Sequence, residues 1–257
     1  MTEEEVLKNV YSMPLTSPAF ANGPSRFVDR EFLIVTYRTD PEAIARVVPA
    51  PLVALDPVVK FEFIHMPDSS GFGDYTESGQ VIPVTLKGEA GSYTHCMYLD
   101  NFPAIAAGRE IMGYPKMDGS PKLEVRGDCL VATLDHRGVR LATATMAYKH
   151  RELDKEAVAK TMEAPGYLVK VIPHIDRSHR ICEIVKFKVG ELKVKGAWSG
   201  PATLELHPHV LAPVAALSVR EILSAIHVVA DLTLGDAEIA HDYLAQRQPT
   251  VKVRKAG

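Results

Sequence analysis

The 257-residue sequence predicts an α+β fold, mainly β, built as an antiparallel barrel or closed sheet with peripheral helices. Three observations predict it. Strand-like runs, about ten or more, far outnumber helical segments, about four or five. Many runs are separated only by tight turns, as at Gly127-Asp128 and Arg137-Gly138. Leu141 to Tyr148 interleaves hydroxyl and apolar residues, as a half-buried antiparallel strand does. That balance argues against a doubly wound sheet. No repeat, low-complexity stretch or dividing linker interrupts the chain, so residues 1–257 read as one domain.

Glu3 to Val10 reads as a short helix with acidic residues at its positive end. Met13 to Phe20 is proline-broken and extended, and Gly23-Pro24 is a turn. Arg30 to Tyr37 is rich in β-formers and reads as a strand. Asp40 caps a short helix that has Pro41 at its first position and stops at Pro49. Val58 to Met66 is a strand carrying Glu62. Asp68 to Gly79 reads as a Ser- and Gly-rich loop that holds Glu77, where an acid can serve function. Gln80 to Lys87 and Ser92 to Leu99 form a hairpin, and Asp100 to Met112 a helix.

Lys122 to Arg126, Cys129 to Asp135 and Val139 to Tyr148 are three further strands. Asp154 caps a helix through Met162. Tyr167 to Pro173, Ile181 to Val189, Glu191 to Lys195, Ala202 to His207 and Ile226 to Leu234 read as strands. Asp236 is expected to cap a closing helix to about Gln246. Residues 247–257 form a polar, basic tail, expected to be a mobile end or an arm onto a neighbouring subunit.

Composition narrows the function. Hydrophobic content is 46% and charged content 24%, ordinary for a water-soluble globule. Net charge is −3 with no long run of one sign, which gives no support for a nucleic-acid partner. Cys96, Cys129 and Cys182 form no CxxC pair and suggest free thiols in a reducing compartment. The acidic N-terminus lacks a signal-peptide core, and no apolar stretch approaches the ~20 residues of a membrane span. A cytoplasmic location is expected.

No nucleotide-binding, nucleophile-elbow or HExxH motif occurs. His207-Pro208-His209 has metal-ligand residues, but no further ligand stands close by and Pro208 breaks a regular strand. No metal is expected. His65, His95 and His227 lie in apolar runs, as hydrogen-bonded core histidines do. The sharper candidate is Gly113-Tyr114-Pro115-Lys116-Met117. Tyr114, Pro115 and Met117 surround Lys116 with apolar neighbours, which disfavour the ammonium and favour the nucleophilic amine. Such an amine forms Schiff bases with ketones. Taken alone, these five residues also suit a solvated loop lysine. Glu62 shares a strand face with Lys60 and Ile64, and Arg30 opens the first long strand beside Glu31.

Nine stretches then carry a resemblance. They include Pro14-Leu15-Thr16-Ser17-Pro18-Ala19-Phe20, Tyr75-Thr76-Glu77-Ser78-Gly79-Gln80, Met97-Tyr98-Leu99-Asp100-Asn101, Tyr114-Pro115-Lys116, Arg180-Ile181-Cys182-Glu183 and Ala230-Asp231. In order and over about Pro14 to Leu244, the sequence resembles the acetoacetate decarboxylase family. The resemblance implies a cone-like antiparallel β-barrel with flanking helices, assembled into homo-oligomers, with no metal or organic cofactor. It implies that Lys116 is the Schiff-base lysine of a β-keto acid decarboxylase and that Glu77 beside it orients water or shuttles protons. Arg30, Glu62, Tyr114, Met117 and Met97 are implied to line the site.

One position departs from the family pattern. Such decarboxylases commonly carry a second lysine beside the first, a neighbouring cation being one way to favour the neutral amine. Here the neighbours are Pro115 and Met117. Three accounts are open. Met117 deepens an apolar pocket that does the same work by desolvation. It marks a branch with aldolase–dehydratase or hydratase chemistry on pyruvate-type 2-oxo acids. Or it is an introduced substitution.

Overall fold

A computed structural model describes residues 1–245. The elements run α1 (Glu3–Asn9), β1 (Ser25–Arg38), α2 (Pro41–Val47), β2 (Val53–Ala54), β3 (Val58–Met66), β4 (Asp68–Ser69), β5 (Tyr75–Leu86) and β6 (Glu89–Leu99). Next come α3 (Phe102–Ala107), a π-helical turn (Gly108–Met112), β7 (Lys116–Asp118), β8 (Ser120–Arg126), β9 (Cys129–His136), β10 (Val139–Ala147), β11 (Arg151–Glu152) and α4 (Lys155–Met162). The chain closes with β12 (Gly166–Pro173), β13 (His179–Ser199), β14 (Ala202–Leu206), a 3-10 turn (Val214–Ala216) and β15 (Glu221–Asp242). The mainly β, α+β class is as the sequence predicts.

Among the described residues the strands form an 11-stranded and a 4-stranded sheet. In the larger one, pairings pass from β5 to β3, β1, β15, β13, β12 and β6, and β6 pairs again with β5. The ring is thin at one point, where β12 and β6 share two residue pairs, Gly166↔Ser92 and Tyr167↔Tyr93. That pairing is parallel, as is β6 with β7, so the sheet is not purely antiparallel. The smaller sheet has the order β14-β10-β9-β8 and is antiparallel throughout.

Burial explains the near-continuous apolar character of β1 and β3. Leu33, Val35 and Tyr37 of β1 and Val59, Phe61 and Phe63 of β3 pack into one core with Ala132, Leu134, Leu141 and Ala144 of the smaller sheet. The alternate residues, including Phe32, Ile34, Glu62 and Ile64, turn the other way and line a cavity. Strands covered on both faces lose the simple inside–outside alternation. Two hairpins turn on Lys87-Gly88 and Arg137-Gly138, all four residues at positive φ, which suits the twist of the flanking strands.

Several elements differ from the sequence reading. Glu77 lies within β5, not in a loop, paired to Ile64 on one side and Leu99 on the other. The misleading signal was Gly79, where a Cβ would meet the Cys96 carbonyl oxygen at 2.3 Å. That glycine marks close backbone approach inside a strand. Ile181–Val189 and Glu191–Lys195 are one strand, β13, because Glu191 at φ 48 makes an irregularity without ending the pairing. The expected closing helix from Asp236 is absent. β15 continues to Asp242, held by pairing of Ala237 to Phe187 and Ile239 to Val185, so sheet pairing overrides the helical preference of the stretch. Gln246 and the tail 247–257 lie outside the described residues. Asp40 takes the N-cap position without a capping bond, and its carboxylate instead accepts bonds from Arg220 and Ser218.

Candidate active site

The site is built where α3, the π-helical turn and β7 meet residues of β1, β5 and β6. Asn101 caps α3 by accepting from Ala104 N–H, and Pro103 lies in the first turn, which fixes where the helix starts. The helix widens into the π turn and stops at Gly113, φ 87, whose N–H and that of Tyr114 both donate to Gly108 O. No side chain fits at Gly113, since a Cβ would meet Lys170 Cβ at 2.5 Å. The chain then enters β7, which pairs Lys116 with Met97 and Met117 with Tyr98. Arg109 Nη1 donates to the Lys116 carbonyl at 3.1 Å and ties the turn to the strand it feeds.

Lys116 is buried, 8% exposed, and so is Glu77 at 2%. Lys116 Nζ donates to Glu77 Oε1 at 2.5 Å. Arg30, also buried, puts Nη2 3.8 Å from Glu77 Oε2. One carboxylate therefore lies between two cations out of bulk water, where the attraction is screened little. The Arg30 guanidinium rests on the rings of Phe27 and Phe32, 5.0 and 4.8 Å from their centroids, and its buried Nε has no hydrogen-bond partner among the described residues. Lys116 Nζ lies 5.2 Å from the centroid of the Tyr114 ring. Burial pushes the Tyr75 and Tyr114 phenols well above their ordinary range, so both stay neutral donors.

These groups open onto a cavity of about 450 Å³ lined by Arg30, Glu77, Met97, Tyr114 and Lys116, with Tyr75 and Phe27 among the remaining walls. Five of the seven residues singled out from the sequence thus meet around one space. Glu62 does not line it. It faces a second cavity of about 220 Å³ that shares Arg30, Met97, Tyr114 and Leu234 with the first. Lys60 and Ile64 line that second cavity too, as the shared strand face predicts. Burial raises the Glu62 carboxyl above the ordinary range, with Lys60 and Arg30 opposing the effect.

Met117 is a clear correction. It is 41% exposed and lines neither cavity. Consecutive strand residues point to opposite faces, so Lys116 turns inward and position 117 turns out. Met117 therefore does not deepen the pocket, and a lysine in its place would point away from the Lys116 amine.

The sequence reading missed Gly108, Tyr75 and Phe27. A Cβ on Gly108 would come within 2.7 Å of Lys116 Cδ and 3.0 Å of Cε. Its signal was available: a glycine inside an apolar helix costs about 1 kcal/mol against alanine and asks for a packing reason. Among the described residues no group of three or more His, Cys, Asp or Glu side chains is placed to hold a metal. His136 and His209 stack edge to face with centroids 5.3 Å apart, and His136 Nδ1 donates to Asp118 O. His227 is a core histidine as expected, bonded to Glu31 at 2.7 Å, and the three cysteines are unpaired and partly buried.

The family model described as acetoacetate decarboxylase matches residues 12–244. The chain belongs to the acetoacetate decarboxylase family. It is 57% identical over 252 residues to the acetoacetate decarboxylase of Paraburkholderia xenovorans, covering 98% of this chain and all of that one. A solved acetoacetate decarboxylase structure superposes with a TM-score of 0.93 at 50% identity, covering 95% of this chain and 100% of that one. The Legionella pneumophila acetoacetate decarboxylase gives 0.88 at 47% identity, covering 93% and 96%. Among the described residues no helix is long and apolar enough to cross a membrane.

Proposed function

We propose that this acetoacetate decarboxylase family member releases CO2 from acetoacetate, or a similar β-keto acid, through a Schiff base on Lys116. The observation that carries the reading is the buried amine of Lys116, 2.5 Å from the buried Glu77 carboxylate and open to a cavity of about 450 Å³. Full-length identity of 57% to a decarboxylase favours this over aldolase–dehydratase or hydratase chemistry.

Glu77 takes a proton from Lys116, and the freed amine adds to the ketone carbon. Water leaves and the iminium forms. The C–C bond to the carboxylate breaks, CO2 departs, and the bond electrons reach the iminium nitrogen to give an enamine. Protonation at carbon restores the iminium, and water releases acetone and the amine. Glu77 is within reach of Lys116 at each proton transfer, and Arg30 attracts the substrate carboxylate while holding Glu77 in place. Tyr114 and Met97 wall the space and exclude water. Glu62 acts at one remove, through Arg30, from the neighbouring cavity. No step calls for a metal or organic cofactor.

The same reading treats the chain as one cytoplasmic domain that assembles with copies of itself. Unpaired cysteines suit the compartment, and exposed Val171, Ile175 and Ile239 offer apolar surface for assembly.

The direct test is CO2 release from acetoacetate by the purified chain, which we expect and whose absence would sink the reading. Two substitutions follow from the geometry. Gly108→Ala forces the Lys116 side chain to shift, and we expect turnover to fall about 10- to 100-fold with little change in melting temperature. Unchanged turnover would mean that Lys116 has room to adapt. Met117→Lys, on an exposed position facing away from the site, is expected to change kcat/KM by less than about threefold. A larger change in the steady-state rate would contradict the outward orientation.

A further inference from the structure

Asp231 belongs to the Ala230-Asp231 stretch, and the chemistry above makes no use of it. It sits on β15 between two irregularities. On one side the β1 register passes from Phe27↔Leu232 to Arg30↔Ala230, so β1 advances three residues where β15 advances two. On the other side β13 passes from Val194↔Ala230 to Gly196↔Val229, leaving Lys195 as the extra residue. Both are bulges, which bend a strand and re-aim its side chains.

The bulge in β1 contains Asp29 at φ 54, a left-handed conformation that costs energy in a residue with a Cβ. Two bonds hold it, and a third ties their partners to each other. The Asp29 N–H donates to Asp231 Oδ1 at 2.9 Å. Lys195 Nζ donates to Asp29 Oδ1 and lies equally close to Asp231 Oδ1, 2.6 Å in each case. The lysine thus spans β15 and joins the two bulges.

The β1 bulge decides where Arg30 points. Residues three apart on a regular strand face opposite sides. The extra residue returns Phe27 and Arg30 to the same side, and both line the Lys116 cavity. The guanidinium then rests against the Phe27 and Phe32 rings, 3.8 Å from Glu77. A one-residue slip of the ladder would turn Arg30 out of the site.

We infer that Asp231, with Lys195, is a positioning clamp: it locks the Asp29 bulge and thereby aims Arg30 at Glu77 and at the substrate carboxylate. Its effect on turnover rests on the decarboxylase reading. Its effect on Arg30 does not.

The experiment compares Asp231→Ala, Asp231→Asn, Arg30→Ala and the Asp231→Ala/Arg30→Ala double variant. It reads kcat and KM for acetoacetate, and the rate at which phenylglyoxal labels Arg30, followed by peptide mass spectrometry. Asp231→Ala is expected to raise KM and to speed Arg30 labelling, each about tenfold, as loss of a positioning contact does. Asp231→Asn keeps an oxygen for the Asp29 N–H and is expected to stay within about threefold of the wild type. In the Arg30→Ala background, Asp231→Ala is expected to add nothing further to KM, because its effect runs through Arg30. Unchanged labelling in Asp231→Ala, or an undiminished KM effect without Arg30, overturns the inference. If Asp231→Ala does not fold, Lys195→Met removes only the lysine's ties and is expected to speed labelling about threefold, with no change again counting against the clamp. A wild-type protein that releases no CO2 would sink the decarboxylase reading instead, and Arg30 labelling alone would then decide the clamp.

Discussion

Replacing Lys116 by alanine is expected to lower kcat for CO2 release by ~10⁴-fold or more, the scale on which enzymes lose rate when a covalent nucleophile is removed. That corresponds to ~5 kcal/mol of transition-state stabilisation. Among the described residues no other lysine lines the 450 Å³ cavity. The fold should survive, because the change removes a buried cation and leaves Glu77 its second partner, Arg30. Circular dichroism and thermal melting check the fold, and headspace CO2 from acetoacetate checks the rate. A variant that melts like the wild type and retains more than about a tenth of its rate would remove Lys116 from the chemistry.

Replacing Glu77 by glutamine is expected to cost about 10²- to 10³-fold in kcat, within the range of a positioned acid–base group. Glutamine keeps the shape and hydrogen-bonding reach of the side chain but accepts no proton. It also leaves Lys116 and Arg30 facing a neutral amide, and breaking a buried ion pair costs on the order of 3–5 kcal/mol. The melting temperature is therefore expected to fall as well, and the rate must be read well below it. Adduct formation on Lys116 should continue, more slowly, because the nucleophile remains. Wild-type kcat in Glu77→Gln would show that proton transfer runs through another group.

Much of this was open to a reader of the sequence. β3 runs Val58–Met66 as predicted and the hairpin at Arg137-Gly138 falls where glycine allows the turn, while the hairpin expected to turn between Lys87 and Ser92 turns more tightly on Lys87-Gly88. These are local signals, decided by residues a few positions apart. Lys116 drew notice through its apolar neighbours, while Arg30, Glu77, Met97 and Tyr114 were gathered by family resemblance and meet around one cavity. What stayed hidden depends on partners distant in the chain. Glu77 looked like a loop acid because Gly79 is needed against Cys96, 17 positions further on. The end of β15 looked helical because its pairing with β13 cannot be seen in its own composition. Met117 is next to Lys116 in sequence but not in the pocket, because the strand pleat turns consecutive side chains to opposite faces. The aim of Arg30 was illegible for the same reason: it hangs on a bulge at Asp29 held by Asp231, 202 positions away.

The most direct test of the account is borohydride reduction during turnover of acetoacetate, followed by peptide mass spectrometry across Lys116. The account predicts an isopropyl group on Lys116, since CO2 leaves while the substrate is bound as the imine. An adduct that keeps its carboxylate would mean that the imine forms without decarboxylation, and an unmodified Lys116 would mean that no imine forms there. Either result would contradict the account.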